Sequence, residues 1–337
     1  MRCLVAALAI AALCPCLAAA SVVDDIVADA SLAEFQSYIR VLTGVDPVPG
    51  DPPTYLANRW SLGSEIHTAG QWIYDHFDSL GLDTSYDYFD PAYGPTVIGE
   101  LRGTTRPDDV YIICGHYDTY HAADQLNAPG CDDNASGTST VMMAARIFSQ
   151  HEFEGTIRFI AFSGEEQWMV GSTSYAAHAW AIKENIVALI NYDMFLHPGF
   201  DNADPDPDYD LDIAHVRHTE WLADLMVEQL EHYTTIDVET HLDAKCYSDQ
   251  QPFWSRWFGA IGVFENTTKD IWGGSNNAYH SLLDTMDNPD YDWPFALDAV
   301  RGGYATIATL AVPIPEPGTL ALFATLALGL VIARRKH

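Results

Sequence analysis

Two adjacent carboxylates, Asp132 and Asp133, sit in the stretch PGCDDNASGTST, between a glycine turn and a run of small residues that reads as a helix start. Two kinds of chemistry place acids there. Asp and Asn cap free N–H groups and suit the positive end of a helix, and converging carboxylates also hold a divalent cation. Other metal-capable side chains stand at comparable places. DVYIICGHYD ends in His116 and Asp118, TIRFIAFSGEE ends in Glu165 and Glu166, IVALINYDMF carries Asp193, and YHSLLDT supplies His280 and Asp284. Singly, each has a plain reading as a loop histidine, a solvated glutamate pair or a turn aspartate. Together they mean that several apolar runs end in metal-ligating groups, and that favours the cation.

These groups need elements to position them. TVIGELRG, DVYIICGHYD, TIRFIAFSGEE, IVALINYDMF and AIGVFENT are apolar enough for strands, several of them buried on both faces. Helical spacing recurs in SLAEFQSYIRVLTG, with a capping box of Ser31 and Glu34, and in SEIHTAGQWIYDHFDSLGL, ending at Gly81. It appears again around residues 137–150 and 215–232. The alternation predicts a single α/β domain over residues 21–312, a mixed, largely parallel β-sheet flanked by helices on both faces. In such sheets ligands bind at the carboxyl ends of the strands, where the polar groups fall.

The two ends read differently from the body. Residues 1–20 have Arg2, an apolar run from Leu4 to Leu13 and small residues through Ala20, the layout of a secretory signal peptide. Residues 313–337 contain Pro315, Glu316 and Pro317, then an apolar stretch from Thr319 to Ala333 and a basic terminus, Arg334, Arg335 and Lys336. As a helix the apolar stretch spans about 22 Å, a marginal membrane anchor, and the basic end is expected to stay cytoplasmic. Without residues 1–20 and 318–337, 12 basic residues face 47 acidic ones, a charge of about −35. Such a body is repelled by nucleic acid. Three cysteines remain, Cys114, Cys131 and Cys246, which allow at most one internal disulfide and exclude a disulfide scaffold.

GHYDT, DDNASG, FSGEE, NYDM and YHSLLDT, in this order, resemble the M28 family of zinc metallopeptidases, which are mostly aminopeptidases. The terminal segment is similar to the PEP-CTERM sorting signal, read by an exosortase. The first resemblance implies a zinc exopeptidase, phosphorylase/hydrolase-like fold and two zinc ions. It implies that Asp133 bridges them, that His116 and Asp193 complete one site, and that Glu166 and His280 complete the other. Asp132 is then not a ligand, and Glu165 is the general base. Asp118 and Asp284 are expected to orient His116 and His280 through their second ring nitrogens. Tyr279, with Tyr247 as rival, is the candidate to bind the tetrahedral intermediate. The second resemblance implies an exported protein, at the periplasm, cell surface or extracellular matrix, with a membrane contact through its tail before processing. Peptides are the expected substrates.

Several signals leave alternatives open. Many members of the family have Ser-Asp-His where this chain has Ser248, Asp249 and Gln250, which puts substrate preference in question. The acid-rich run from Asp201 to Asp212 reads either as a calcium loop or as a solvated one. Trp254, Trp257 and Phe258 read as core or pocket wall. Carboxypeptidase or glutaminyl cyclase action on the same fold, or a surface or matrix binding protein without turnover, are the rival functions. An intact Glu165 speaks against the last.

Overall fold

Apolar runs whose side chains point alternately to two faces build the centre of the sheet. Along β3 (Arg106–His116), Tyr111 and Ile113 enter one core while Val110, Ile112 and Cys114 enter the other. β5 (Gly155–Phe162) repeats the division, with Phe159 and Ala161 opposed to Ile160 and Phe162. Strands buried on both faces in this way need helices on both sides. The architecture comes from a computed structural model that describes residues 22–50, 52–198, 210–243, 246–265 and 276–314.

The sheet has eight strands. β1 (Asp83–Asp87) and β2 (Thr96–Leu101) form one edge, and β5, β3, β6 (Asn185–Tyr192) and β9 (Ala260–Phe264) form the centre. β7 (Asp210–His215) and β8 (Asp237–Leu242) form the other edge. The four central strands run parallel, while β2 and β7 run antiparallel to their neighbours β5 and β9. A separate pair joins β4 (Glu152–Phe153) to β10 (Pro313–Ile314).

The larger core packs one face of the sheet under α1 (residues 22–28), α2 (Leu32–Leu42), α3 (Glu65–Ser79), α4 (Gly137–Phe148), α6 (Glu220–Tyr233) and α8 (Trp293–Ala311). The smaller core lies under α5 (Val170–Ile182) and α7 (Gln251–Trp254). The mixed sheet with helices on both faces is therefore as expected. Two local readings change. Ser31 stands at the N-cap of α2 without a side-chain cap, and the Glu34 carboxylate is taken by Arg146 and Tyr38 instead of turning back to the Ser31 amide. The helix expected from residue 215 begins at Glu220, and residues 210–215 are strand β7 instead. No disulfide joins the three described cysteines, and Cys114 and Cys131 are buried thiols.

Residues 1–20 and 315–337, with the expected signal peptide and tail helix, lie outside the described residues. Among the described residues no helix is long and apolar enough to cross a membrane.

Candidate metal centre

The chain leaves β3, passes through α4 to β5 on one side, then crosses over to β6 on the other. The crevice at such a reversal is where α/β sheets bind ligands. β3 ends there with His116, β5 is followed by Glu165 and Glu166, and β6 is followed by Asp193. Asp133 arrives on a single wide turn, Cys131–Ser136, that precedes α4. His280 comes from the loop between β9 and α8.

The Asp133 carboxylate lies at the middle. Its Oδ1 is 3.3 Å from His116 Nε2 and its Oδ2 is 3.2 Å from His280 Nε2. His116 Nε2 is also 3.5 Å from Asp193 Oδ1, and His280 Nε2 is 3.0 Å from Glu166 Oε2. One carboxylate thus faces two donor sets, each an imidazole and a second carboxylate.

Backbone contacts fix this arrangement. Asn134 Oδ1 accepts from Gly137 N at 2.8 Å and caps α4, while its Nδ2 donates to Tyr192 O at 2.8 Å. Neither Asp132 nor Asp133 is the cap. Asp132 Oδ1 accepts from Phe195 N and Leu196 N at 3.0 and 2.9 Å, which holds the segment just after Asp193. A Cβ on Gly137 would sit 2.3 Å from Tyr192 O, so only glycine lets α4 approach β6 this closely.

Asp118 ties two parts together. His116 Nδ1 is 3.2 Å from the Asp118 carbonyl oxygen and 3.5 Å from its Oδ1, which leaves Nε2 for the cluster. The same carboxylate accepts from Ser61 Oγ at 2.6 Å and from the amides of Glu165 and Glu166 at 3.3 and 3.2 Å. Asp284 departs from expectation. It does not serve His280: its Oδ1 accepts from Asp132 N at 2.7 Å and Tyr291 Oη at 2.6 Å, and its Oδ2 from Asp133 N at 3.0 Å. Two successive amides converge on its two oxygens, so Asp284 positions the backbone that carries Asp133.

Burial and charge set the protonation. Burial acts to raise Asp133, but hydrogen bonds from His116 and His280 outweigh it and hold the carboxyl well below the usual range. Burial and then Asp133 push Glu166 up to about 7, against the pull of His280. Burial alone would lower the two imidazoles. The surrounding carboxylates instead raise His280 to about 10, and Asp193 with its neighbours raises His116 well above the ordinary value. Glu165, half-buried beside them, is raised well above its ordinary value by burial, with Asp193, Asp249 and Glu166 adding and His116 opposing. Cations fit such a site. Among the described residues, Glu166 Oε1 is buried with no hydrogen-bond partner and Asp193 Oδ1 has only the long 3.5 Å contact with His116, and the mixed nitrogen and carboxylate donors are those zinc takes.

Tyr279 stacks on His280 with ring centroids 3.8 Å apart, and Tyr120 meets the same ring edge-on at 4.9 Å. Burial, then Asp133, Glu166, Glu165 and Asp193, keep the Tyr279 hydroxyl protonated far above neutral pH. Tyr247, the rival, is exposed. Gln250 is buried, accepting from Asn191 Nδ2 at 3.0 Å and donating to Cys246 O at 3.2 Å. Trp254 bonds Ala260 O, Phe258 is buried in the smaller core, and the exposed Trp257 lies against His218. Residues 201–209, most of the acid-rich run in which calcium was an alternative, lie outside the described residues.

Sequence reading missed Arg59. Its buried guanidinium donates to the carbonyls of Tyr117, Leu42, Pro129 and Gly130, clamping the turn that leads into Asp133. Burial lowers it to about 10, so it stays charged at neutral pH. It also missed Glu265, buried after β9, which accepts from His197 N and Asn276 Nδ2. An arginine inside NRWSLG and an acid directly after a strand were the available signals.

The two-faced sheet and the histidine–carboxylate cluster at its crevice define a fold of the zinc-exopeptidase type. Residues 96–300 match peptidase family M28, a span that includes the whole cluster, and the chain belongs to that family. Residues 313–336 match the PEP-CTERM protein-sorting motif. A probable zinc metalloprotease of Pyrenophora teres f. teres is 36% identical over 182 residues, covering 52% of this chain and 39% of its own length. The chain therefore spans well under half of that curated relative. The LapA aminopeptidase of Legionella pneumophila has a similar fold, with a TM-score of 0.69 and 20% identity over 87% of this chain and 75% of its own. A glutaminyl cyclase of Bacteroides thetaiotaomicron, with a TM-score of 0.59 and 15% identity over 82% and 97%, shares it too.

Proposed function

We propose that the protein is an exported di-zinc aminopeptidase that hydrolyses the first peptide bond of peptides outside the cytoplasm. The observation that carries this is Asp133, whose two oxygens face His116 with Asp193 on one side and His280 with Glu166 on the other. In this reading these five residues hold two zinc ions. Zinc bound there supplies Lewis acidity that acidifies a water and polarises the substrate carbonyl.

The chain's own groups do the rest. Glu165 is no part of either donor set and stands beside Glu166, so its carboxylate takes the proton of the attacking water and gives it to the leaving amine. Tyr279, neutral and held on His280, donates to the developing oxyanion. Asp118 fixes the tautomer of His116, and Asp284 fixes the backbone that carries Asp133. Export rests on the N-terminal leader, expected to end at Ala20, and on the sorting motif, through which an exosortase and the membrane are transient partners.

Hydrolysis of aminoacyl-p-nitroanilides and of amino-blocked controls, with zinc counted on the same sample, tests this. About two zinc ions and activity on free amino termini alone is the expected result. Two zinc ions with turnover only of N-terminal glutaminyl or C-terminal substrates would replace it with cyclase or carboxypeptidase action. Absence of zinc would leave a binding protein.

A further inference from the structure

The far edge of the sheet carries a second group of metal-capable side chains. β7 and β8 pair in parallel with Asp210 opposite Asp237, Asp212 opposite Glu239 and Ala214 opposite His241. Side chains two apart share a face, so Asp212, Glu239 and His241 project together on the side where Ala214 packs with Cys246 and Phe264. His241 Nε2 is 2.7 Å from Asp212 Oδ1 and 3.6 Å from Glu239 Oε2, and one ligand atom from each residue lies within 4.8 Å of the others. Around a tetrahedral ion with bonds of about 2.0–2.2 Å, donors stand roughly 3.3 Å apart. The observed separations bracket that value.

The surroundings are hard to account for by a plain ion pair. Asp212 is only 4% exposed, an ionisable acid buried on β7, the strand next to the edge. Its cross-strand neighbour is another acid, and so is that of Asp210. Like charges directly opposite destabilise a sheet pair. Among the described residues the only ion-pair partner of Asp212 and of Glu239 is the one imidazole of His241. A divalent cation would turn the repulsion into a bridge between β7 and β8, whose outer strand has little buried surface of its own.

We propose that Asp212, Glu239 and His241 form a separate structural cation site, distinct from the His116 centre, that staples the edge strands. The imidazole fixes the class of ion. Calcium takes oxygen donors, whereas a nitrogen with two carboxylates suits zinc or a similar divalent transition ion. Glu239 is 60% and His241 33% side-chain exposed, which leaves the open side to water ligands.

The test is zinc per chain for the full protein and for H241Q and E239Q, equilibrated at one low-micromolar free zinc concentration, with thermal unfolding of each. The wild type is expected to hold one zinc ion more than H241Q. E239Q binds that ion at least tenfold more weakly, and neither substitution changes peptide hydrolysis more than about twofold. The rise in Tm on adding zinc shrinks in both variants. Both sit on the exposed edge, and E239Q covers the case in which H241Q does not fold. Equal zinc in all three proteins overturns the site, and calcium displacing that ion at equal concentration overturns the assignment of its class. The comparison is between variants, so it stands whatever the His116 centre holds.

Discussion

Asp133 can face two donor sets only because its neighbours have other work. Asp132 is committed to the amides of Phe195 and Leu196, Asp284 to the amides of Asp132 and Asp133, and Asn134 to the cap of α4. Glu165 stands apart from both sets, which allows a sharp separation of roles. Glu165→Gln keeps the size and polarity of the side chain and leaves every cluster contact in place, but it cannot carry a proton from water to amine. The expected loss in kcat is about 10²–10⁴-fold, with zinc per chain unchanged by direct metal analysis. Retained turnover would remove Glu165 from the proton path, and loss of zinc would make it a ligand. At this scale the sequence was informative about which side chains gather, because His116 and Asp193 each stand at or just past a strand end, where type and position can both be read. Partnership was not legible. YHSLLDT places Asp284 four residues from His280, yet the carboxylate reaches back some 150 positions to the amides of Asp132 and Asp133, a contact between distant segments that local spacing does not encode.

Elements were legible where a continuous apolar run covers both faces. β3, β5, β6 and β9 are near-continuous apolar runs because both faces are covered, and each could be read from the chain. β1 (DTSYD), β7 (DLDIAH) and β8 (DVETHL) are edge or near-edge strands with charged and small polar residues, and their pattern is too weak to separate from loop. The most constrained junction between elements is where α4 begins against β6. A methyl on Gly137 would meet Tyr192 O at 2.3 Å and Asn134 Oδ1 at 2.5 Å, so Gly137→Ala must push the first turn of α4 off the sheet. A cost of about 1–3 kcal/mol is expected, read by denaturant unfolding, together with a fall in kcat/KM because Asp133 rides on the displaced turn. Ser139→Ala, two residues on, removes a buried hydroxyl that has no hydrogen-bond partner among the described residues and should be neutral in both measurements. Equal behaviour of the two variants would mean that the close approach does not position the site.

A packing contact between α3 and α4 gives the same scale a pH dependence. His76 Nε2 lies 3.0 Å from Met142 O, and burial is the main cause that lowers its pKa below the ordinary histidine value. The folded chain therefore binds this proton less readily than the unfolded one. Below the unfolded pKa of about 6.5 the unfolded state takes up the proton first, so stability contributed here is full above that pH and declines as pH falls towards the depressed folded value. His76→Gln, with no proton to gain, is expected to lose less Tm than the wild type between pH 7 and pH 5. A parallel decline in the two proteins would place the acid sensitivity elsewhere.

Across the whole molecule, the length of β5 separates the cluster from the first residues of the sorting motif. The sorting motif begins at Pro313, and its first two residues are β10, paired with Glu152 and Phe153 of β4. β4 lies just before the start of β5, whereas Glu165 and Glu166 follow the end of β5. Eight residues of strand at about 3.3 Å each put roughly 26 Å between the point where the tail departs and the edge where the cluster lies. A chain held at its C-terminus would thus present the cluster away from its point of attachment. Among the described residues, the cluster is built from His116, Asp133, Glu166, Asp193 and His280, and these, with Glu165, Tyr279, Asp118 and Asp284, all precede α8. A protein ending at Ile314 is therefore expected to match the full chain in kcat/KM within about twofold and in Tm within a degree or two, because the β10–β4 pair and α8 are intact. Ending the chain at Ala311 instead removes that pair and leaves the C-terminal end of α8 without its strand, so Tm should fall while kcat/KM per folded molecule holds. A large loss of kcat/KM on truncation at Ile314 would show that the tail reaches the catalytic edge, and the separation of function along the sheet would have to be abandoned.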